Sequence, residues 1–335
     1  MIDASVLVVG AGAIGGVTAA KMAGGVERVC VLDANTEHVE RMQAGLEVDV
    51  LGEEHRVELE AYAGPEGLEG PFDFALVTLK ASHLEALAPL VERGLVRTYV
   101  SLGNGLVQER IAGIVGSESL IWGTVEWGAT NLGPGRLAQT TRAPFVIGEP
   151  DGETRDRTRL LAEALGVVED VRLTGNIRGQ VWSKLLVNSS FSGLGAVSGL
   201  LYREVMEDPD GREVALALWR EGYDVGMAQG LRLEKVLGVE AGSLVLRGPE
   251  DRGRVEEAIE VAMGYAGATK ASMLQDLERG LKTEVDVING AVVDRGREHG
   301  VETPVNGRVV ELMHAMERGE RRPGRDVFED LRRLA

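Results

Sequence analysis

Three polar side chains recur at helical spacing in the middle of this 335-residue chain. In the segment Trp182-Ser183-Lys184-Leu185-Leu186-Val187-Asn188-Ser189-Ser190-Phe191-Ser192, the side chains of Lys184, Asn188 and Ser192 stand at i, i+4 and i+8. They share one helix face, and the residues between them are largely apolar. A lysine held partly out of water beside such a row is a candidate proton donor. The same spacing fits a lysine that lays its stem on apolar surface and keeps its ammonium in water, and spacing alone leans toward that second reading.

A second constellation lies at the N-terminus. Gly10-Ala11-Gly12-Ala13-Ile14-Gly15 fits G-x-G-x-x-G, with the apolar run 5–9 before it and a helical stretch after it. Gly10 permits a tight turn, Gly12 lets the backbone approach a pyrophosphate, and Gly15 allows a helix to pack closely on a strand. The helix N-terminus then faces the anion. Asp33 ends the next apolar run, where a carboxylate accepts hydrogen bonds from adenosine ribose hydroxyls and repels a 2′-phosphate. Arg28 and Arg41, the nearest basic residues, are poorly placed for that phosphate, so Asp33 favours NAD(H). Thr78-Leu79-Lys80 and Leu102-Gly103-Asn104-Gly105 close two further apolar runs. Lys80 and Asn104 therefore fall at carboxyl ends of strands, although a turn asparagine accounts for Asn104 equally well and a surface lysine accounts for Lys80 better.

Downstream, Ser272-x-x-Gln275 reads as a capping box. Thr283 reads as the N-cap of a helix over 283–298, with Glu284 in its first turn complementing the dipole.

The elements that must position these residues alternate. Strands are expected at 5–9, 28–33, 74–79, 99–102 and 120–125, and helices at 14–24, 36–44, 83–92 and 106–115. This pattern predicts a doubly wound parallel sheet. Residues 126–148 break the alternation and predict short antiparallel strands at the end of that sheet. Beyond about residue 174, helical periodicity takes over at 177–197, 211–229, 251–265, 283–298 and 304–317. The chain thus reads as an α/β protein: a dinucleotide-binding domain over 1–174 and an all-helical domain over 175–335, a length that suits two cores better than one.

Composition narrows the function classes. The net charge of −17 argues against nucleic acid and anionic membranes as main partners, while a small anionic substrate remains compatible with it. The five histidines show no metal-ligand spacing, and no metal is expected. The single cysteine, Cys30, sits in an apolar run and reads as an inert buried thiol. The opening MIDASVLVV lacks the basic segment of an export signal, and no apolar stretch reaches the roughly 18 residues a membrane span needs. A cytoplasmic location is expected, and a homodimer through the helical half is compatible with the sequence.

Taken together, GAGAIG, TLKA, GNG, W-x-KLLVN, SMLQD and TEVDVING, in this order and at these separations, resemble the ketopantoate reductase family over nearly the whole chain. Gly300-Val301-Glu302-Thr303-Pro304-Val305-Asn306 is similar to that family's final helix entry. The resemblance implies an N-terminal Rossmann domain, a helical domain like the C-terminal domain of 6-phosphogluconate dehydrogenase, and an active site in the cleft between them. It implies reduction of 2-dehydropantoate to (R)-pantoate, on the route to pantothenate, generally with NADPH. It also implies that Lys184 is the catalytic lysine, Glu284 the active-site glutamate, Ser272 a contact to the substrate carboxylate and Asn188 a substrate-binding asparagine. Asn104 and Lys80 fall in the cofactor-side cleft, and Asn104 also reaches the substrate.

Three positions depart from the family pattern. Ser192 stands where many members carry a second asparagine, and is taken here as a substrate-side residue. Thr269 stands where another substrate-contacting asparagine is common, and Asp33 where a basic or small polar residue is usual. The alternatives are a dehydrogenase of the same architecture acting on a different 2-keto or hydroxy acid or an opine-type substrate, and a nucleotide-binding homologue without catalysis.

Overall fold

The computed structural model describes residues 1–335. The chain divides into two compact units, one of residues 1–103 and 107–177, the other of 104–106 and 178–335.

The first unit is built on an eight-stranded sheet. Its strands are β1 (Ile2–Val9), β2 (Val26–Leu32), β5 (Glu60–Tyr62), β6 (Phe72–Val77), β7 (Val96–Ser101), β8 (Leu120–Val125), β11 (Phe145–Gly148) and β12 (Val171–Leu173). The spatial order is β12-β11-β8-β7-β6-β1-β2-β5. Six strands from β5 to β8 run parallel, and β11 turns antiparallel to β8. The central strands are continuous apolar runs because both faces are covered, by α1 (Ala13–Met22), α2 (Thr36–Gly45), α3 (Ala88–Glu92), α4 (Gln108–Val115) and α5 (Asp156–Gly166). β1 lies between β2 and β6, so chain order reverses at its carboxyl end. That is where open α/β sheets bind ligands.

Two expectations need correction here. Of the strands expected over 126–148, only β11 joins the main sheet. β9 (Ala129–Gly133) and β10 (Arg136–Gln139) pair instead with β3 (Leu46–Val50) and β4 (Glu53–Val57) in a second, four-stranded sheet. β3 and β4 carry no obvious hairpin signal. Their two-residue turn is Leu51-Gly52, with φ of 56° and 95°, so leucine occupies a left-handed position that usually favours Asn, Asp or Gly. The helix expected at 83–92 is also interrupted. A 3-10 segment spans Ala81–Leu87 and α3 follows, because Pro89 has no N–H to extend an α-helix through that point.

The second unit is helical: α6 (Ile177–Val187), α7 (Gly193–Ser198), α8 (Tyr202–Glu207), α9 (Pro209–Ala228), α10 (Arg252–Ala266), α11 (Ser272–Glu278), α12 (Asn289–His299), α13 (Pro304–Glu317) and α14 (Val327–Arg332). α9 is its longest helix. Gly222 and Gly226 let α6 press against it, since a Cβ at Gly222 would lie 2.8 Å from Leu186 and one at Gly226 2.5 Å from Trp182. Trp182 Nε1 donates to Gly222 O at 3.0 Å. No helix is long and apolar enough to cross a membrane.

The continuous helix expected at 177–197 is three pieces, with a π turn at Asn188–Ser192 between α6 and α7. The helix expected from Thr283 starts later. A single 3-10 turn occupies Val285–Val287 and α12 begins at Asn289. Thr283 is buried, and its hydroxyl donates to Glu317 (2.7 Å) and accepts from Val285 N (3.3 Å) in the 3-10 turn rather than capping α12.

Candidate active site

In the first unit, the glycine-rich turn follows β1 directly. Gly10 has φ +90°, and its missing Cβ leaves room for Leu79 at the end of the neighbouring strand. A Cβ on Gly15 would lie 2.1 Å from Gly10 O and 2.3 Å from Thr78 Oγ1, so only glycine lets α1 start this close to the sheet. Thr78 Oγ1 donates to Gly10 O at 2.5 Å and ties the turn to the end of β6. Ala13 and Ile14 begin α1, which has no side-chain cap. The donors at its N-terminus therefore keep the capacity to bind an anion. Gly12 is exposed, and a Cβ there would meet nothing within 4 Å. The residues present fit a dinucleotide whose pyrophosphate covers Gly12 and the start of α1.

The Asp33 carboxylate is shared. Its Oδ2 accepts from Ala11 N at 2.7 Å and its Oδ1 from Asn35 N at 2.9 Å, so it supports the turn as well as facing outward from the end of β2. Residues 33–40 contain no lysine or arginine. Arg28 is held by Glu60 and lies 4.9 Å over the Phe72 ring. The stem of Arg41 fills the space beside Gly135. Lys80 is half-buried just beyond β6, at the start of the 3-10 segment.

A residue that the sequence left without a role also supports the turn. His38 is buried, and its Nδ1 accepts from Gly135 N at 2.9 Å. The ring proton therefore sits on Nε2, which donates to Ala11 O at 2.8 Å. His38 links the turn to the β9–β10 loop, a contact across 97 residues that no local pattern announces.

In the second unit, Lys184 and Asn188 are both half-buried, on α6 and at the first position of the π turn. α6 is fixed by Trp182 and by Ser183, whose Oγ accepts from Glu234 N at 2.8 Å. Ser192 does not continue the half-exposed row. It is 2% exposed and hydrogen-bonds Tyr202, whose phenol burial pushes up to about 12. The expectation of one shared face fails at this residue because the π turn ends with Ser192 packed inward. Ser272 is exposed at the first position of α11, and no side chain caps that helix, so the capping-box reading of Ser272 is also corrected. Glu284 is half-buried at the head of the 3-10 turn.

The segment carrying Asn104 packs on that same turn. Leu106 N donates to Val287 O at 2.8 Å, and Gly105, at φ +73°, leaves no room for a Cβ, which would fall 2.2 Å from Val287 O. α11 and α12 both pack against the π turn. The second unit thus gathers the neighbourhoods of Asn104, Asn188, Ser272 and Glu284. Thr269 is exposed, and its carbonyl accepts from Tyr202 N. No group of three or more His, Cys, Asp or Glu side chains is arranged to hold a metal ion.

A parallel sheet with an uncapped glycine turn at its switch point, followed by a helical unit carrying a half-buried lysine, defines an NAD(P)-dependent oxidoreductase. The comparisons with known proteins identify which kind. The family model described as ketopantoate reductase PanE/ApbA matches residues 6–152, and the one for its C-terminal domain matches 176–317. A 2-dehydropantoate 2-reductase of Mesorhizobium japonicum is 32% identical over 345 residues, covering 94% of this chain and 98% of its own. The crystal structure of a PanE/ApbA family ketopantoate reductase from Ralstonia eutropha JMP134 superposes with a TM-score of 0.79 at 23% identity, over 94% of this chain and 99% of that one. The ternary structure of D-mandelate dehydrogenase with NADH and anilino(oxo)acetate has the same fold, with TM-score 0.79, 22% identity, and 94% and 99% coverage. The chain belongs to the ketopantoate reductase family.

Proposed function

We propose that this enzyme reduces 2-dehydropantoate to (R)-pantoate, with NADH preferred over NADPH, as a step of pantothenate biosynthesis in the cytoplasm. The observation that carries the substrate is the full-length similarity to the Mesorhizobium japonicum 2-dehydropantoate 2-reductase, and the resemblance of W-x-KLLVN, SMLQD and TEVDVING to the family's motifs supports it. The cofactor preference rests on Asp33 at the end of β2, on the lack of lysine or arginine in residues 33–40, and on Arg28 being held by Glu60. The cytoplasmic location is supported by cysteine usage: Cys30 stands alone, so the fold relies on no internal disulfide.

A reduced nicotinamide dinucleotide, when bound, would supply a hydride to the keto carbon. The chain's own residues do the rest. Gly10, Ala11, Gly12, Ala13, Ile14 and Gly15 hold the pyrophosphate, Asp33 accepts from the adenosine ribose, and Lys80 and Asn104 line the cofactor side. Ser272 donates to the substrate carboxylate, while Asn188 and Glu284 orient the substrate hydroxyl and the lysine. Lys184 Nζ gives a proton to the oxygen of the keto group as that oxygen gains negative charge. The test is oxidation of NADH and of NADPH by the purified protein with 2-dehydropantoate and with a panel of other 2-keto acids. A higher kcat/KM for any other keto acid overturns the substrate assignment, and a higher value with NADPH overturns the cofactor preference.

A further inference from the structure

A buried polar relay runs from α9 to the π turn that carries Asn188. Glu221 on α9 accepts three hydrogen bonds at the start of α13: from Val305 N (2.9 Å), Asn306 N (2.9 Å) and Asn306 Nδ2 (2.8 Å). A carboxylate that only accepts fixes which way the Asn306 amide points. Its Oδ1 is therefore turned away from Glu221, where it accepts from Asn289 Nδ2 at 2.9 Å. The other hydrogen of the Asn289 amide goes to the carbonyl oxygen of Ser189, inside the π turn, at 2.9 Å. Asn289 and Asn306 are fully buried and Glu221 nearly so.

Two further features point at the same spot. The Gly193 N–H reaches back five residues to Asn188 O, the bond that makes this turn a π turn. Gly193 also lacks the Cβ that would lie 2.6 Å from Asn289 Oδ1, so the glycine makes room for the asparagine. Asn289 Oδ1, turned toward Gly193, has no hydrogen-bond partner.

We propose that Asn289 is a positioning residue. Its amide holds the Asn188–Ser192 π turn in the register that presents the Asn188 side chain to the keto acid, and Asn306 and Glu221 set its orientation. This rests on the assignment of Asn188 to the substrate.

The test is a double-mutant cycle of Asn289→Ala with Asn188→Ala, read as kcat and KM for 2-dehydropantoate and as the Kd for NADH. Asn289→Ala is expected to raise KM about tenfold, the loss of one orienting hydrogen bond, and to leave the NADH Kd within about twofold. The double variant is expected to be no worse than Asn188→Ala alone, because both substitutions remove the same interaction. Gly193→Ala gives a second perturbation. It displaces only the end of the Asn289 side chain, keeps the helix, and is expected to reproduce the KM effect. Additive losses, or an unchanged KM in both Asn289→Ala and Gly193→Ala while Asn188→Ala is impaired, would overturn the positioning role alone. An unimpaired Asn188→Ala would overturn the substrate assignment and this role with it.

Discussion

The glycine turn offers a way to separate folding from cofactor binding with two single-methyl changes. In Gly15→Ala the new Cβ sits 2.1 Å from Gly10 O and 2.3 Å from Thr78 Oγ1, each more than an ångström inside van der Waals contact. Neither neighbour yields easily. Gly10 O belongs to a turn held by Gly10 N to Leu32 O (2.8 Å), and Thr78 N is bonded to Val9 O at 3.0 Å. The turn must move, and the cost is expected at the upper end of the roughly 1–3 kcal/mol seen for overpacking. In Gly12→Ala the Cβ meets nothing within 4 Å, and Gly12 has φ −61° and ψ −162°, which alanine adopts without strain. Stability should hold, or rise by up to about 1 kcal/mol through the restricted unfolded chain. The same methyl, however, enters the space assigned to the pyrophosphate, and an overlap of about 1–3 kcal/mol weakens NADH binding roughly 5- to 150-fold. The assay pairs thermal unfolding without cofactor with a fluorescence titration of NADH. Gly15→Ala should lose both Tm and affinity, and Gly12→Ala affinity alone. If Gly12→Ala binds NADH as tightly as the parent, the dinucleotide does not lie over Gly12 and the cradle has been misplaced.

Asp33→Ser removes the like charge facing a 2′-phosphate, so the NADPH-to-NADH ratio of kcat/KM should rise about tenfold, and an unmoved ratio would refute the role given to Asp33. Lys184→Ala should lower turnover about 10²- to 10⁴-fold with an unchanged NADH Kd, and near-full activity would remove the lysine from the chemistry. Glu149, almost fully buried, accepts from Arg157 Nε (2.9 Å), Arg157 Nη2 (2.6 Å) and Thr158 Oγ1 (2.6 Å). Burial alone would push this carboxyl up, but those hydrogen bonds and the positive charges together hold it below its usual range. Its contribution to stability is therefore present above the ordinary glutamate pKa and lost as pH falls through the lowered value. Arg157→Ala strands the charge and should cost about 3 kcal/mol near neutrality, the low end for a broken buried pair, because Arg155 remains 3.3 Å away. Denaturant unfolding at neutral and acidic pH should show that difference shrinking on acidification, and a constant difference would contradict it.

Elements that carry their own burial pattern were readable from the chain alone. SVLVV, FALVTL and LIWGTV are buried on both faces, and only a sheet covered on both sides suits such runs. The amphipathic periods of α9, α10 and α13 were equally plain. β4 was not, because it is exposed along most of its length and has no apolar alternation. The pairing of β3 with β10 was not, because it joins residues about 90 apart through backbone groups that any side chain would offer. The π turn leaves no trace in hydrophobic periodicity, and so the inward position of Ser192 could not be seen.

The candidate site divides along the same line. Gly10 to Gly15, Asp33, and Lys184 with Asn188 could be singled out as candidates because each set is local in the chain, where spacing in sequence is spacing in space. What supports them was decided only in three dimensions: His38 bridging Ala11 and Gly135, and Glu221, Asn306 and Asn289 converging on Ser189 O. Those side chains come from elements up to about 100 residues apart. A hydrogen bond across that distance exists only once the packing of the elements has placed donor and acceptor within 3 Å of each other.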